Sequence, residues 1–149
     1  MPVAMTPKAQ KLFLAIAVLA LAGVVDSSVA LRNHYAKDKS SFCDFSESFN
    51  CDVVNRSQYS VIVGIPVALI GIVGYAALFG LSTFSRSNHE TPTLLLAAAV
   101  PGLAFALYLT YVEGFILSAW CILCLSSLAF IGAITVLSAA LLIHSRRDS

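Results

Sequence analysis

Four apolar runs, each long enough to cross a lipid bilayer, restrict this chain to a small set of folds. They lie at about residues 12–31, 61–81, 94–112 and 119–143. About 20 helical residues at 1.5 Å each reach the roughly 30 Å of a hydrocarbon core. Of the 149 residues, 58% are hydrophobic and only 11% are charged, whereas soluble domains carry about 25% charged residues. The sequence therefore predicts one all-α integral membrane domain over residues 1–149, built as a bundle of four transmembrane helices.

The first run has a competing interpretation as a cleaved signal peptide. Leu12 to Val25 has the length of a signal core, and Ser28-Val29-Ala30 resembles a small-x-small cleavage site. We expect the run to be retained as a span. Asp26 would then lie near its far end, where we expect a solvated carboxylate.

Prolines and aromatic residues give local signals in the second and third runs. Pro66 is expected one turn into the second helix, where its missing N–H costs least or allows a kink. Pro101-Gly102 is expected to interrupt the third span near its middle. Tyr108, Tyr111 and Glu113 are expected to mark the far end of that span, as a belt of interfacial residues does.

The longest polar segment, residues 32–60, joins the first two runs. It contains Cys43 and Cys51, separated by seven residues, and its four basic and four acidic side chains cancel in charge. Three phenylalanines within residues 42–49 recur at helical spacing. This spacing predicts a short helix or cap that lies on the bundle.

The distribution of basic residues predicts the orientation of the bundle. Four spans place both termini on one side, and that side carries Lys8, Lys11, Arg86, Arg146 and Arg147. By the positive-inside rule this side is cytoplasmic. All four cysteines then lie at the outer face. Disulfides are formed and kept on the outer side of a bacterial plasma membrane and in the lumen of the endoplasmic reticulum.

Cys121 and Cys124 stand at the start of the fourth run. Cysteines at i and i+3 share one helical face, and the unpaired N–H groups of a helix N-terminus stabilise thiolate over thiol. Packing alone also explains such a pair, because cysteine is a small hydrophobe. The gathering of all four cysteines at one membrane face favours redox chemistry. Trp120 beside them suits a membrane interface, and it equally suits a shield between the dithiol and water.

Thiol–disulfide exchange is the reaction that uses two such pairs, since a thiolate attacks a disulfide through a mixed intermediate. A pair in a loop can meet a soluble protein, and a pair at a helix mouth can meet a small oxidant dissolved in the bilayer. That oxidant must accept two electrons and two protons in an apolar pocket, and a membrane quinone meets this requirement. The net charge of +1, with scattered basic residues, gives no electrostatic footprint for nucleic acid.

The four cysteines and the motifs around them resemble the vitamin K epoxide reductase family, most closely its prokaryotic members. The resemblance spans about residues 23–127. It is carried by Cys43-Asp44, Cys51-Asp52-Val53-Val54, Ser57, Val63-Gly64-Ile65-Pro66-Val67-Ala68-Leu69-Ile70-Gly71 and Trp120-Cys121-Ile122-Leu123-Cys124. It implies a four-helix bundle around a quinone. It also implies that a loop half-helix between the first two helices caps the pocket from the extracytoplasmic side.

The resemblance also implies a role for each cysteine. Cys121 and Cys124 are the active-site pair, with Cys124 nearest the quinone ring. Cys43 and Cys51 are the shuttle pair, which accepts electrons from a reduced thioredoxin-like protein. Cys51 then exchanges with Cys121, and Cys124 passes the electrons to the quinone. Ser57 matches a loop hydroxyl residue that helps hold the cap over the pocket.

One position departs from the vertebrate members of that family. They have a tyrosine one turn beyond the second active-site cysteine, and this chain has Leu128 there. Because leucine offers no donor, we expect Ser57 and Ser60 to bind the quinone oxygen. Many prokaryotic relatives carry a fused thioredoxin-like domain, whereas this chain stops soon after its fourth span. We therefore expect a separate thioredoxin-like protein as the extracytoplasmic partner.

These arguments predict a membrane thiol oxidoreductase of the bacterial plasma membrane, with its active site on the extracytoplasmic side. It would oxidise a dithiol protein and reduce a quinone of the ubiquinone, menaquinone or vitamin K type, thereby supporting disulfide formation. An alternative within the same chemistry is a vitamin K epoxide and quinone reductase of the endoplasmic reticulum.

Two further alternatives involve static cysteines. A claudin-like four-span structural protein would keep its disulfide inside the first outer loop and has no need of Cys121 and Cys124. A zinc site formed by cysteines alone is disfavoured at the outer face, since oxidising conditions compete with thiolate ligation. No metal ligands are predicted.

Overall fold

The protein is described here by a computed structural model over residues 6–35, 58, 61–85, 88–118 and 120–148. Within these ranges the secondary structure comprises four long helices, a two-stranded hairpin and a short π-helical segment. In chain order the elements are α1 (Pro7–Tyr35), β1 (Val61–Ile62), β2 (Ile65–Pro66), α2 (Val67–Phe84), α3 (Thr91–Tyr111), the π segment (Val112–Leu117) and α4 (Ile122–Asp148).

Four helical stretches are long and apolar enough to cross a membrane: α1, α2, α3 continued by the π segment, and α4. Large apolar side chains project outward from all four. Leu14, Val73, Leu107 and Val136, one from each helix, are each more than half exposed. Apolar surface on this scale is a liability in water and suits contact with lipid. The predicted four-helix membrane bundle is confirmed.

The first and last helices meet at one end of the bundle. The Thr6 hydroxyl oxygen accepts the backbone N–H of Ala9 at 3.2 Å, and Pro7 occupies the first helical position, so that α1 begins with a side-chain cap and a proline. The same hydroxyl lies 2.8 Å from Nε2 of His144, near the end of α4. The beginning of α1 and the end of α4 are therefore neighbours. We call the opposite end, where Cys121 and Cys124 lie, the dithiol end.

Two close contacts bring α1 and α2 together. A Cβ atom at Gly23 would lie 2.3 Å from Cδ1 of Tyr75, and one at Gly71 would lie 2.7 Å from the Ser27 hydroxyl oxygen. Only glycine permits the backbone to approach a neighbouring side chain this closely, which is the usual role of small residues in membrane helices. The aromatic ring of Tyr75 is thereby fixed against α1.

The main apolar core fills the half of the bundle away from the dithiol end. Its fully buried members include Ile16 of α1, Leu95 of α3, and Ile134 and Leu141 of α4. We call this region the packed half. A second, smaller cluster contains Ala30, Cys121 and Leu123 and lies at the dithiol end.

The second apolar run begins as a β-hairpin rather than as a helix. Val61 pairs with Pro66 and Ile62 with Ile65 in antiparallel register, and α2 begins at Val67. Val63 and Gly64 form the turn with positive φ angles of 52° and 80°, as a two-residue hairpin loop requires. Pro66 thus lies immediately before α2, and its missing N–H does not interrupt the helix.

The expected interruption of the third span is wrong. The helix α3 runs without a break from Thr91 to Tyr111 and contains Pro101 in its interior. Proline is tolerated in membrane helices when local adjustments and neighbouring groups satisfy the freed carbonyl. Pro101 and Gly102 instead line an internal cavity, where a glycine leaves room beside the helix.

Candidate functional site

The two cysteines of the Cys-x-x-Cys motif lie where α4 begins. Cys121 immediately precedes the helix and has no exposed surface, whereas Cys124 belongs to its first turn and is partly exposed. Both are free thiols, and their side chains interact with each other. A spacing of i and i+3 places them on one face of the helical turn. The two thiols are thus neighbours at the helix N-terminus.

The π segment positions a carboxyl group against this dithiol. Oε2 of Glu113 accepts the backbone N–H of Cys121 at 3.2 Å, and the Glu113 side chain is only 1% exposed. Its other oxygen, Oε1, is buried and has no hydrogen-bond partner within the described part of the chain. The thiol of Cys124 interacts with the same carboxyl group. Glu113 was expected at the membrane interface, and that expectation is wrong.

Local backbone geometry explains how Glu113 turns inward. The residues Val112–Leu117 form i→i+5 hydrogen-bonded turns, which rotate the side chains relative to a regular α-helix. The segment ends at Ser118, whose φ of 53° is left-handed and whose N–H donates to the carbonyl of Glu113. The chain then reverses over a few residues into α4. This reversal brings Glu113 back onto the backbone of Cys121.

Trp120 packs on the π segment. A Cβ atom at Gly114 would lie 3.0 Å from Cη2 of its indole ring, so the ring rests close to the Gly114 backbone. Trp120 is partly buried. It therefore covers the reversal that carries Cys121.

A cavity of about 410 Å³ opens between all four helices beside the dithiol. Its walls are mostly small or apolar residues, including Ala30, Ala68, Gly74, Ala98 and Gly102. The side chains with polar atoms that line it are Asp26, Ser27, His34, Tyr75, Glu113, Cys124 and Ser127. Cys124 lines this cavity, whereas Cys121 is fully buried and is not among the lining residues. The two sulfurs therefore have different surroundings.

Tyr75 and Ser127 form a hydroxyl pair in the cavity wall. The Tyr75 hydroxyl donates to the backbone carbonyl of Ser127 at 2.8 Å, and its oxygen lies 2.8 Å from the Ser127 hydroxyl oxygen. Ser127 is three residues after Cys124 and so lies on the same face of α4, one turn further into the membrane. The sequence analysis missed both residues.

Asp26 lies inside the bundle rather than at a solvated helix end. Because α1 continues to Tyr35, Asp26 stands well before the end of the helix. It is partly buried and lines the cavity. The expectation of a solvated helix end is therefore wrong. A carboxyl group at this depth in a membrane is energetically unfavourable unless it faces the interior of the bundle.

Four of the predicted site residues lie outside the described residues: Cys43, Cys51, Ser57 and Ser60. Their predicted roles as the shuttle pair and as binders of the quinone oxygen therefore remain predictions. The structure brings Cys121 and Cys124 together with three residues that the sequence analysis did not assign to the site, namely Tyr75, Glu113 and Ser127.

Comparison with known families gives one match. A sequence model described as the vitamin K epoxide reductase family matches residues 14–139. The matched region begins in α1 and ends in α4, and so includes the dithiol, the π segment and the cavity. No curated protein matches the chain.

Proposed function

Since the chain belongs to the vitamin K epoxide reductase family, we propose that it is a quinone-linked thiol oxidoreductase of the membrane. It takes electrons from an extracytoplasmic dithiol protein and passes them through two cysteine pairs to a membrane quinone. This reaction supplies disulfide bonds to other proteins. Membership of the family and four helices that can span a membrane identify the chain as an integral membrane oxidoreductase.

The observation that carries this proposal is the position of the dithiol beside the cavity. Its volume of about 410 Å³ falls within the roughly 300–1,000 Å³ of small-molecule pockets. Most of its walls are apolar and belong to membrane-spanning helices, so a ligand that dissolves in lipid suits it better than a water-soluble oxidant. A quinone head group has that solubility, and it also accepts the two electrons that a dithiol releases.

The two cysteines have unequal access to the cavity, which supports a division of labour. Cys124 lines it and is the thiol that faces a quinone. Cys121, without exposed surface, is next to Cys124 and closes the disulfide with it. In the complete reaction two S–H bonds break and one S–S bond forms. The two electrons and two protons released reduce the quinone to quinol.

The hydroxyl pair of Tyr75 and Ser127 is suited to bind a quinone oxygen. Leu128 offers no donor, and Ser127, the preceding residue, carries a hydroxyl that is held in place by Tyr75. One turn of α4 separates it from Cys124, about 5 Å along the helix axis. A quinone ring that contacts Cys124 can therefore reach this pair with its second oxygen.

The remaining steps rest on the family resemblance. Cys43 and Cys51 would accept electrons from a separate thioredoxin-like protein, and Cys51 would then exchange with Cys121. The dithiol end would face the outside of a bacterial plasma membrane. Thiol–disulfide exchange accounts for both transfers without any further cofactor.

Anaerobic turnover of the purified protein in detergent tests the proposal. A reduced thioredoxin-like protein is the electron donor, and analogues of ubiquinone, menaquinone or vitamin K epoxide are the acceptors. We expect the wild type to reduce a quinone and Cys124→Ala to reduce none. Reduction of the epoxide alone would instead favour the vitamin K epoxide reductase. Turnover by neither protein with any acceptor would overturn the proposed function.

A second variant separates the two cysteine pairs. We expect Cys43→Ala to lose oxidation of the thioredoxin-like donor while partly retaining quinone reduction by dithiothreitol, because a small thiol can bypass the shuttle pair. Equal loss with both donors would contradict the division of labour.

A further inference from the structure

Glu113 is a buried acid to which the reaction above assigns no role. One carboxyl oxygen, Oε2, accepts the N–H of Cys121 at 3.2 Å. This contact caps the start of α4 and requires nothing of the other oxygen. Oε1 is nevertheless buried, and no group in the described part of the chain donates to it. A neutral acceptor would cap the helix equally well without placing an ionisable group inside the membrane.

The surroundings of the Glu113 carboxyl group include the Cys124 thiol, which is the sulfur proposed to react with the quinone. The Cys124 thiol interacts with Glu113, and both residues line the cavity. One carboxyl group therefore interacts with the thiol that lines the cavity, and it lines the same cavity. A general acid–base needs contact with the proton that it moves and with the space that receives it.

We propose that Glu113 carries the proton of the Cys124 thiol to the quinone. This inference rests on the proposed function. The S–H bond of Cys124 breaks, the proton passes to the Glu113 carboxylate, and the sulfur electron pair becomes available for transfer to the quinone. Glu113 then releases that proton to a quinone oxygen and is regenerated. The second proton comes from the Cys121 thiol when the S–S bond forms, so two electrons and two protons are transferred in all.

Substitution of Glu113 separates proton transfer from capping. The amide oxygen of Glu113→Gln can still accept the N–H of Cys121, but the side chain cannot carry a proton. Glu113→Asp retains the acid on a shorter side chain. Glu90→Gln is the matched control, because Glu90 is exposed in the turn before α3, at the opposite end of the bundle.

The first measurement is the rate of quinol formation when the pre-reduced protein is mixed with a ubiquinone analogue in a single turnover. We expect Glu113→Gln to be slower by about 100-fold or more, which is the usual contribution of general acid–base catalysis. Glu113→Asp should recover part of the rate, and Glu90→Gln should match the wild type. Thermal unfolding of each variant shows whether a slow rate reflects loss of the fold.

The second measurement needs no quinone. Infrared difference spectra between the dithiol and disulfide forms of the protein should contain a carboxyl band that is absent in Glu113→Gln. The band arises because the partner of the carboxyl group changes when the Cys124 thiol loses its proton. A glutamate whose only partner is the Cys121 N–H keeps that partner in both forms and would give no such band.

The outcomes distinguish this inference from the function on which it rests. If the wild type reduces a quinone and a folded Glu113→Gln does so equally fast, Glu113 carries no proton and the inference is overturned alone. Absence of the infrared band would overturn it as well. If the wild type reduces no quinone, the proposed function fails, and transfer from Glu113 to a quinone fails with it.

Discussion

The same four helices form two halves that differ in how they are filled. In the packed half, Ile16, Leu95, Ile134 and Leu141 are fully buried against one another. The half next to the dithiol surrounds a cavity of about 410 Å³. It also contains the π segment and a left-handed residue, Ser118. Irregular backbone of this kind costs free energy and persists only where surrounding structure supports it. Tight packing in one half of the bundle thus permits an open, irregular site in the other half.

Cys121→Ala should have the largest functional effect and leave the packed half intact. Without Cys121 no disulfide can close at α4, so oxidation of the donor should be lost completely. The Cys124 thiolate would remain beside any bound quinone and should give a visible charge-transfer band. Absorption spectra of the quinone-loaded variant check this. A colourless, quinone-loaded protein would contradict the placement of Cys124 next to the ring.

Leu141→Ala should show the opposite pattern. Its side chain is 1% exposed in the packed half, and its truncation should cost about 2–5 kcal/mol of unfolding free energy, toward the lower end because lipid replaces water as the surroundings. Quinone reduction per folded molecule should not change. Thermal unfolding in detergent measures the loss. Leu107→Ala is the control. Because the Leu107 side chain is 53% exposed, its truncation should leave the unfolding free energy nearly unchanged. Comparable losses would mean that the packed half is not the main source of stability.

Gly23→Ala should damage both halves, because Gly23 lies where they meet. The added Cβ would fall 2.3 Å from the Tyr75 ring, so the ring must move, at a cost of about 1–3 kcal/mol. Movement of Tyr75 also disturbs its contact with Ser127, and we expect quinone reduction to fall. Gly80→Ala, in α2 but not among the residues that line the cavity, is the control, since no atom lies within 4 Å of a Cβ there. If both variants behave alike, close packing at Gly23 does not matter.

Tyr75→Phe should have the smallest effect on stability and a selective effect on the site. The ring remains and only the hydrogen bond to Ser127 is lost, at about 0.5–1.5 kcal/mol. We expect the KM for quinone to rise by roughly two- to tenfold. Steady-state kinetics with a ubiquinone analogue measures this change. Tyr108→Phe, on a half-exposed tyrosine of α3, should leave the KM unchanged. An unchanged KM in Tyr75→Phe would show that the hydroxyl pair does not bind the quinone.

The membrane fold followed from the sequence because it depends on the length and composition of apolar runs, which need no tertiary information. The predictions about individual elements are wrong where backbone geometry determines the local structure. Residues 61–66 are as apolar as the helix that follows, yet Val63 and Gly64 form a hairpin turn. Pro101 suggested a break because proline interrupts an isolated helix, whereas α3 continues through it inside the bundle.

Within the candidate site, the sequence indicated Cys121 and Cys124 but not their neighbours. Glu113 was assigned to the interface because the third span was expected to end there. The π segment extends that span to Leu117 and turns the carboxyl group inward. A single acid among apolar residues is the signal that should have been followed, since an intramembrane acid is a functional candidate by default. The contact between Tyr75 and Ser127 depends on where the bundle places α2 relative to α4, which no local pattern reveals.

Because α2 begins late, the protein should be sensitive to the thickness of the bilayer. With 18 residues, α2 reaches about 27 Å, whereas the 29 residues of α1 reach about 43 Å. A long helix adapts to a thin bilayer by tilting, but a short one has no such freedom. In a thick bilayer the hairpin before α2 would be drawn toward the hydrocarbon. A change in lipid acyl-chain length should therefore alter the structure of the dithiol end before that of the packed half. Hydrophobic mismatch between the protein and its bilayer can in this way control the activity of the protein.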